Sequence, residues 1–237
     1  MGKVNQSART VNMAKRRDRI LDQARDMIAA GGLEALNIRK LAAGAQVTVP
    51  TVYNLVGNKE AVVVALFAEA LETIEARLAS HSADGPLTQV EAVVTESIGV
   101  FGEDEPYYRA AFLAVEYLDQ TAAHHGAVAE IYRWGEKLIN QGCDACVDAG
   151  LLRGRIGAGR FGEQILRTYR TSCRAWAFGH IPIDTFRREA LSDVYTILAA
   201  DAVDTFRATL INKIAALNEG ATLPKQQRNS RGKEANQ

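Results

Sequence analysis

The stretch TVPTVYNLVGNKE, residues 48–60, decides what kind of fold this chain has. Thr48 can cap a short helix, and Pro50 then falls in its first turn, where a missing N–H costs little. Val52 supplies an apolar side for this helix, and the Gly-Asn pair that follows ends it before a new helix begins at Lys59. A helix this short buries too little to be explained as core, so we expect its polar side to serve another molecule.

Two further helices are predicted upstream of this stretch. Apolar residues at helical spacing indicate a first helix over 13–30, which Gly31-Gly32 ends. Asn37 is then a suitable N-cap for a short helix over 38–43. Two short helices that are joined by a tight turn and preceded by a longer helix form the helix-turn-helix arrangement, whose second short helix enters the major groove of DNA.

The outward residues of that second short helix have chemistry that suits DNA. Thr methyl groups, Val and Pro can contact the thymine methyl group, while Thr hydroxyl and Asn side chains can bond base edges or phosphate. Tyr hydroxyl and Lys ammonium groups suit phosphate oxygens. The predicted DNA-facing residues of the helix are Thr48, Val49, Pro50, Thr51, Tyr53 and Asn54.

The charge distribution favours the same interpretation. The chain of 237 residues has a formal net charge of zero, but residues 1–60 carry ten Lys or Arg against five Asp or Glu. Residues 61–220 carry 14 basic against 22 acidic side chains. A basic head on an acidic body is typical of a polyanion-binding module attached to a body that does not bind polyanions, although a chance cluster on a solvated helix gives the same pattern.

Residues 17 to about 71, with NIRKLAAGAQVTVPTVYNLVGNKEAVVVAL at their centre, resemble the DNA-binding domain of the TetR family of transcriptional regulators. The resemblance implies that Arg39 reaches a guanine or a phosphate and that Tyr53 and Lys59 clamp phosphates, with Asn54 beside them. It places the four residues 48–51 on base edges. It also implies a homodimer that binds a palindromic double-stranded DNA operator and releases it when a small-molecule effector enters the C-terminal domain.

One position departs from the family pattern in a way that predicts local geometry. Gln46 stands where the family usually has the glycine of the turn. If the backbone there is left-handed, a residue with a side chain costs on the order of 1 kcal/mol relative to glycine.

The whole chain reads as all-α, because no sustained period-2 pattern occurs. Helices are predicted over 59–79, 87–102, 106–122, 126–149, 159–178 and 184–216, with a linker at 81–86. The predicted organisation is a flexible basic arm at 1–12, a three-helix helix-turn-helix DNA-binding domain at 13–60, a helical ligand-binding and dimerisation domain at 61–218, and a disordered tail at 219–237.

Aromatic residues in the C-terminal part are candidates for a ligand pocket. Walls that mix apolar and hydroxyl-bearing side chains suit a largely apolar ligand with one or two polar groups, although core packing explains the same residues. The candidates are Tyr108, Phe112, Tyr132, Tyr169, Cys173 and Trp176. A stripe of Arg167, Arg170 and Arg174 could receive an acidic ligand group, or could be a solvated face that pairs with Glu163 and other acids.

Several classes of function find no support. We expect no enzyme, no metal and no cofactor, because no catalytic motif stands out, His124 and His125 point two ways on a helix, and Cys143 and Cys146 are expected to be inert buried thiols. No apolar run approaches the roughly 20 residues that span a bilayer, so we expect a cytoplasmic protein with no membrane contact.

The function that the sequence favours is a ligand-responsive transcriptional repressor. Two alternatives stay open. One is a helical small-molecule-binding protein or enzyme with an incidental basic head, and the other is a DNA-binding organising protein with no inducer.

Overall fold

The computed structural model describes residues 2–81, 85–119 and 125–219, and within these ranges the chain is helical. The prediction of an all-α fold is confirmed. The one extended pairing among the described residues is an isolated antiparallel bridge between Leu152 and Ala202. The α-helices are α1 Gly2–Ala35, α2 Ile38–Gly44, α3 Val49–Leu55, α4 Lys59–Leu78, α5 Pro86–Glu103, α6 Glu105–Asp119, α7 His125–Asp148, α8 Ala158–Ala177, α9 Ile183–Ala199 and α10 Asp204–Glu219.

Side-chain caps define the starts of the three helices that follow α1. Asn37 Oδ1 accepts the backbone N–H of Arg39 at 3.0 Å, and Thr48 Oγ1 accepts that of Thr51 at 3.4 Å. Asn58 Oδ1 accepts the N–H of Ala61 at 2.9 Å at the start of α4. Each cap satisfies a donor that has no partner inside its helix. The start of each of these helices is therefore determined by the capping residue at that position.

Two apolar cores organise the described residues. One joins α1 to α4 with α6, so that Ile20 and Val52 share a cluster with Tyr107 and Val115. The other joins α5 with α7 to α10. Helix α6 packs along α1 and also contacts α8, and α4 contacts α5 and α7. Helices α4 and α6 therefore connect the helix-turn-helix to the rest of the bundle.

Helix α1 is longer than predicted. It begins at Gly2 instead of residue 13, because residues 3–12 contain no proline or glycine that would end a helix. The predicted break at Gly31-Gly32 is a kink at which the backbone leaves the helical conformation, Gly32 having a φ of 64°, and helix resumes up to Ala35.

The single helix predicted over 184–216 is wrong, because α9 ends at Ala199 and α10 begins at Asp204. The loop that follows α7 forms hydrogen bonds with the backbone of residues 201–203. Arg153 donates its N–H to the Asp201 carbonyl at 2.9 Å, and Val203 donates its N–H to the Leu151 carbonyl at 3.0 Å. The buried Asp201 carboxylate accepts the N–H of Arg155 at 2.9 Å. These bonds replace those of a continuous helix.

Some predicted features lie outside the described residues. They are residues 82–84 of the predicted linker, His124 and the tail from residue 220 onward. No described helix is long and apolar enough to cross a membrane.

Candidate DNA interface and ligand cavity

Helix α3 has one buried and one exposed side. Val52 is fully buried, and Leu55 and Val56 pack against the same core. On the other side Tyr53 is 53% exposed, and Asn54 is also exposed. The helix is therefore fixed to its own domain by its apolar side and presents polar groups to solvent.

The predicted DNA-facing residues differ in exposure. Thr48 and Pro50 are exposed at the start of α3, as is Arg39 in the first turn of α2. Val49, Thr51 and Lys59 are half-buried, and Val49 packs against the core of the helix-turn-helix. Arg39 lies in α2, Lys59 is the first residue of α4, and the other six candidates belong to α3 or to its cap.

The threonine pair of α3 is held by its own cap. The Oγ1 atoms of Thr48 and Thr51 lie 2.9 Å apart, within hydrogen-bond distance. Thr48 Oγ1 also accepts the Thr51 N–H. Each hydroxyl group retains capacity for a further bond, since a hydroxyl carries one donor and two acceptor lone pairs. The capping bond fixes the rotamers of both side chains at the end of the helix that would meet DNA.

The turn between α2 and α3 has the backbone geometry that Gln46 was expected to adopt. Gln46 has a φ of 55°, the single positive φ at a non-glycine position in the described part of the chain. Its N–H donates to the Ala43 carbonyl at 3.1 Å, and the Val47 N–H donates to Ala42 at 2.9 Å. The Gln46 side chain is exposed, so its cost arises from the left-handed backbone and not from a clash.

Helices α4 to α8 line a cavity of about 70 Å³ with almost wholly apolar walls. Four of the six ligand candidates line it: Phe112, Tyr132, Tyr169 and Cys173. Most of the remaining lining was not foreseen, because aliphatic residues that line a cavity have the same helical spacing as residues that fill a core. These further lining residues include Phe67, Leu71 and Ile74 of α4, Val93, Val94, Ser97 and Phe101 of α5, and Trp134 of α7.

The other two ligand candidates do not line the cavity. Trp176 is fully buried, with its ring stacked at 5.6 Å from Phe101 and 5.8 Å from Phe186, and its Nε1 donates to Glu105 at 2.9 Å. Tyr108 packs against the rings of Phe101 and Tyr107 at 5.2 and 4.8 Å. Both side chains are used in packing.

One polar group in the cavity wall lacks a well-formed hydrogen bond to the described residues, its polar neighbour being Ser97. It is the hydroxyl of Tyr169, which is shielded from solvent, and burial raises its pKa well above the ordinary value. The nearby Ser97 hydroxyl donates to the Val93 carbonyl at 2.5 Å. An unpaired buried hydroxyl costs free energy, and a ligand with one polar group could satisfy it.

The cysteines behave as ordinary buried side chains. Cys143, Cys146 and Cys173 are free thiols and all are buried. Burial raises the pKa of Cys143 to about 12 and that of Cys146 to about 11, so both remain protonated at neutral pH. The described residues contain no group of three or more side chains that could hold a metal ion.

The arginine stripe of α8 forms ion pairs both within α8 and across to α6. Arg167 does pair with Glu163, at 2.6 Å. Arg170 and Arg174 instead reach across to Glu116 of α6, which is only 7% exposed. Arg170 Nη2 lies 2.7 Å from Glu116 Oε1, and Arg174 Nε lies 3.1 Å from Oε2.

Glu116 is held in its ionised form by these neighbours. Tyr132 also donates its hydroxyl to Oε1 at 2.8 Å. Burial by itself would raise the pKa of Glu116, but the hydrogen bonds from Arg174, Arg170 and Tyr132 outweigh burial and lower the pKa below its ordinary value. The carboxylate, two guanidinium groups and a phenol thus form one network between α6, α7 and α8.

A single helix spans both candidate sites. The N-terminal end of α4 carries the Asn58 cap and Lys59 beside the helix-turn-helix, while Phe67, Leu71 and Ile74 further along it line the cavity. Trp134, which also lines the cavity, donates its indole N–H to Glu75 of α4. Helix α4 therefore extends from the cavity wall to the DNA-facing region.

Comparison with known proteins identifies relatives of both parts of the chain. The family described as "Bacterial regulatory proteins, tetR family" matches residues 20–66. The HTH-type transcriptional repressor KstR of Rhodococcus jostii (strain RHA1) is 28% identical over 109 residues, which cover 46% of this chain and 51% of that repressor. The aligned part thus spans about half the length of this curated relative.

Solved structures share the fold along most of the chain. FadR from Bacillus subtilis, in complex with stearoyl-CoA, has a TM-score of 0.65 at 17% identity and covers 76% of this chain and 96% of its own. SmeT, the repressor of the Stenotrophomonas maltophilia multidrug efflux pump SmeDEF, has a TM-score of 0.62 at 18% identity. The match covers 80% of this chain and 92% of SmeT. Residues 20–66 thus match the tetR family of bacterial regulatory proteins in sequence, and most of the chain shares its fold with these two regulators.

Proposed function

We propose that this chain is a ligand-responsive transcriptional repressor that binds a palindromic operator as a homodimer and is released by a small, largely apolar molecule. The observation that carries the proposal is α3, a capped helix of seven residues whose apolar side is buried and whose polar side is presented to solvent. The match of residues 20–66 to a family of bacterial regulatory proteins supports DNA as the partner of that exposed side.

The proposed reading of DNA divides the candidate residues into two groups. Thr48, Val49, Pro50 and Thr51 at the start of α3 would contact base edges, because the N-terminal residues of a recognition helix enter the groove first. The second group, Arg39, Tyr53, Asn54 and Lys59, would contact the sugar-phosphate backbone on either side, except where Arg39 reaches a guanine. Contacts of the second kind set affinity and register, and those of the first kind set sequence preference.

A homodimer is proposed because each chain supplies one recognition helix and because α10 keeps an apolar surface. Phe206 and Leu210 of α10 are buried, but Ile211 remains 54% exposed. Partly buried Ile197, Ile214 and Leu217 pack beside the same core on α9 and α10. Covering these side chains with the same helices of a second chain would complete a four-helix seam and place two recognition helices in successive major grooves.

The proposed release mechanism is a population shift. A ligand-sized molecule is larger than the present cavity of about 70 Å³, since binding sites for such molecules measure roughly 300–1,000 Å³. Its entry would favour a conformation in which α4 and its neighbours are displaced, and α4 would move the DNA-facing segments with it. Regulators of this family are generally not enzymes, and we assign this chain the same non-catalytic role, in the cytoplasm.

The experiment that tests the proposal is a binding selection from random double-stranded DNA, followed by light scattering of the selected complex and a compound screen for release. We expect an enriched palindrome, two chains or a multiple of two per duplex, and release by apolar compounds. Enrichment of no sequence, or a selected complex that no compound in the screen dissociates, would contradict the DNA-reading or the ligand-responsive part respectively.

A further inference from the structure

A polar groove adjoins the apolar cavity and shares two of its lining residues. Leu166 and Arg170 of α8 line both spaces. The groove is larger, about 380 Å³, and its other lining residues are Glu136, Glu163, Arg167, Thr171 and Arg174. The apolar cavity therefore lies beside a surface groove that carries three arginine side chains.

Two of these arginines already hold a carboxylate, that of Glu116. Arg170 and Arg174 both bond it, and Asp119 gives Arg170 a second acceptor at 3.1 Å. Arg174 is half exposed, with 53% of its side chain accessible. A guanidinium carries five N–H groups, so each of these arginines can engage an additional acceptor that enters from the groove.

The contacts of Arg170 also point toward the cavity. Its guanidinium carbon lies 3.7 Å from the centroid of the Tyr132 ring, and both side chains line the cavity. The aromatic face fixes the plane of the guanidinium while leaving its edge to acceptors. Arg170 is thus placed where an apolar molecule in the cavity would end if its terminal group faced the groove.

We propose that this groove receives the anionic head of an amphipathic effector, a carboxylate on an apolar body that lies in the cavity, and that Arg170 and Arg174 exchange Glu116 for this head group. The inference rests on the proposed function and names the chemical class of its effector. Arg167 lies at the rim, with 63% of its side chain exposed, and is paired there with Glu163. Bidentate recognition by arginine suits a carboxylate better than it suits a neutral polar group.

The exchange would act on α6. Glu116 is buried, and a buried carboxylate that loses its cationic partners is strongly unfavourable, so Glu116 would either take up a proton or be rehydrated by a shift of α6. Helix α6 packs along α1 of the helix-turn-helix, with the Tyr107 ring 5.1 Å from the guanidinium carbon of Arg25. Head-group binding thus has a physical route to the DNA-binding part that is separate from α4.

The test compares two probes that differ only in the head group, decanoate and decan-1-ol, each titrated below its self-association limit by calorimetry. We expect the wild-type protein to bind decanoate at least about tenfold more tightly, because a charge-assisted hydrogen bond exceeds a neutral one. Arg174→Gln should lower decanoate affinity by about tenfold and leave decan-1-ol affinity within about twofold.

Glu116→Gln gives a test that misfolding cannot imitate. Removal of the competing carboxylate should raise decanoate affinity several-fold and leave decan-1-ol affinity unchanged. Arg133→Gln is the matched control, because Arg133 pairs with Glu130 on α7 and lines neither space. It should leave the affinities for both probes at their wild-type values.

Three results would overturn the inference: equal affinity for the two probes, no binding of either probe, or the same loss for both probes in Arg174→Gln. The titrations contain no DNA. Failure of the protein to select a DNA sequence would therefore count against the proposed function, but the affinities measured for decanoate and decan-1-ol could still be interpreted.

Discussion

The guanidinium of Arg25 in α1 lies over the ring of Tyr107 in α6, with 5.1 Å between its carbon and the ring centroid. The same guanidinium donates to Glu69 of α4 at 3.0 Å. One side chain therefore joins the first helix of the DNA-binding part to the two helices that lead away from it. Its contacts are partly solvated, since 39% of the Arg25 side chain is exposed.

We expect Arg25→Ala to lower the free energy of unfolding by about 1–2 kcal/mol, the combined size of a partly exposed cation–π contact and a partly exposed ion pair. Urea unfolding followed by circular dichroism measures it. Arg19→Ala in the same helix is the control, because Arg19 is exposed and its replacement should change stability by less than about 0.5 kcal/mol. Equal effects of the two substitutions would show that the junction does not contribute.

Gln46→Gly should stabilise the protein. Glycine adopts the φ of 55° at this turn without the steric cost that glutamine bears, and part of that gain is offset by the greater entropy of glycine in the unfolded chain. The net increase in the free energy of unfolding is expected to be about 0.5–1 kcal/mol. Gln46→Ala retains a Cβ and serves as the control, for which no increase is expected. A Gly variant no more stable than the Ala variant would rule out strain at this turn.

Tyr169→Phe should also stabilise the ligand-free protein, by about 1 kcal/mol, because it removes a buried hydroxyl that lacks a well-formed hydrogen bond in the described part of the chain. Tyr195→Phe is the matched control. The Tyr195 hydroxyl donates to Glu91 Oε1 at 2.6 Å, so its removal should destabilise the protein by a similar amount. Thermal unfolding measures the change in stability of each variant relative to the wild type. Destabilisation by Tyr169→Phe would mean that the Tyr169 hydroxyl has a hydrogen-bond partner.

The contribution of Glu116 should depend on pH. Its folded-state pKa lies below the ordinary value of 4.5, so its stabilising effect is fully present above pH 4.5 and is lost as the pH falls through the folded-state pKa. At pH 7 we expect Glu116→Gln to be about 1–3 kcal/mol less stable than the wild type. Urea unfolding at pH 7 and pH 3 should show this difference shrinking, and a difference that stays constant would contradict the proposed ion-pair network.

Two groups of substitutions should separate the roles of the DNA-facing residues. Tyr53→Phe and Lys59→Gln should weaken binding to all sequences alike, and Lys59→Gln should reduce the slope of log affinity against log salt by about 1. Thr51→Val and Val49→Ala should change which base is preferred while leaving the salt slope unchanged. Fluorescence anisotropy with the selected sequence and its single-base variants distinguishes the groups. The same pattern from both would remove the proposed division of roles.

Local signals made the helix-turn-helix predictable from sequence. Asn37 and Thr48 cap α2 and α3 as their side-chain chemistry indicates, and Gln46 adopts the predicted left-handed turn. The break between α9 and α10 was missed because residues 200–203 contain no glycine or proline. A distant loop, through Arg153 and Leu151, supplies the hydrogen bonds that interrupt the helix there.

The ligand cavity was only partly predictable for a similar reason. Tyr169 and Cys173 were identified by residue type. Phe67 and Ile74 were not, because an apolar residue in a cavity wall has the same sequence pattern as one in a packed core. Glu116 was not identified, because its importance comes from Arg170 and Arg174, which lie more than 50 positions further along the chain. Contacts of this kind depend on how the helices pack and leave no local pattern.

The central claim is that α3 reads base edges, and the most direct test is the ratio of affinities for the selected palindrome and for a scrambled duplex of the same composition, measured at about 150 mM salt. For a specific regulator we expect the palindrome to be bound at least about 1,000-fold more tightly. A ratio near one, with binding that disappears as salt is raised, would mean that the helix contacts only the phosphate backbone and would contradict the claim.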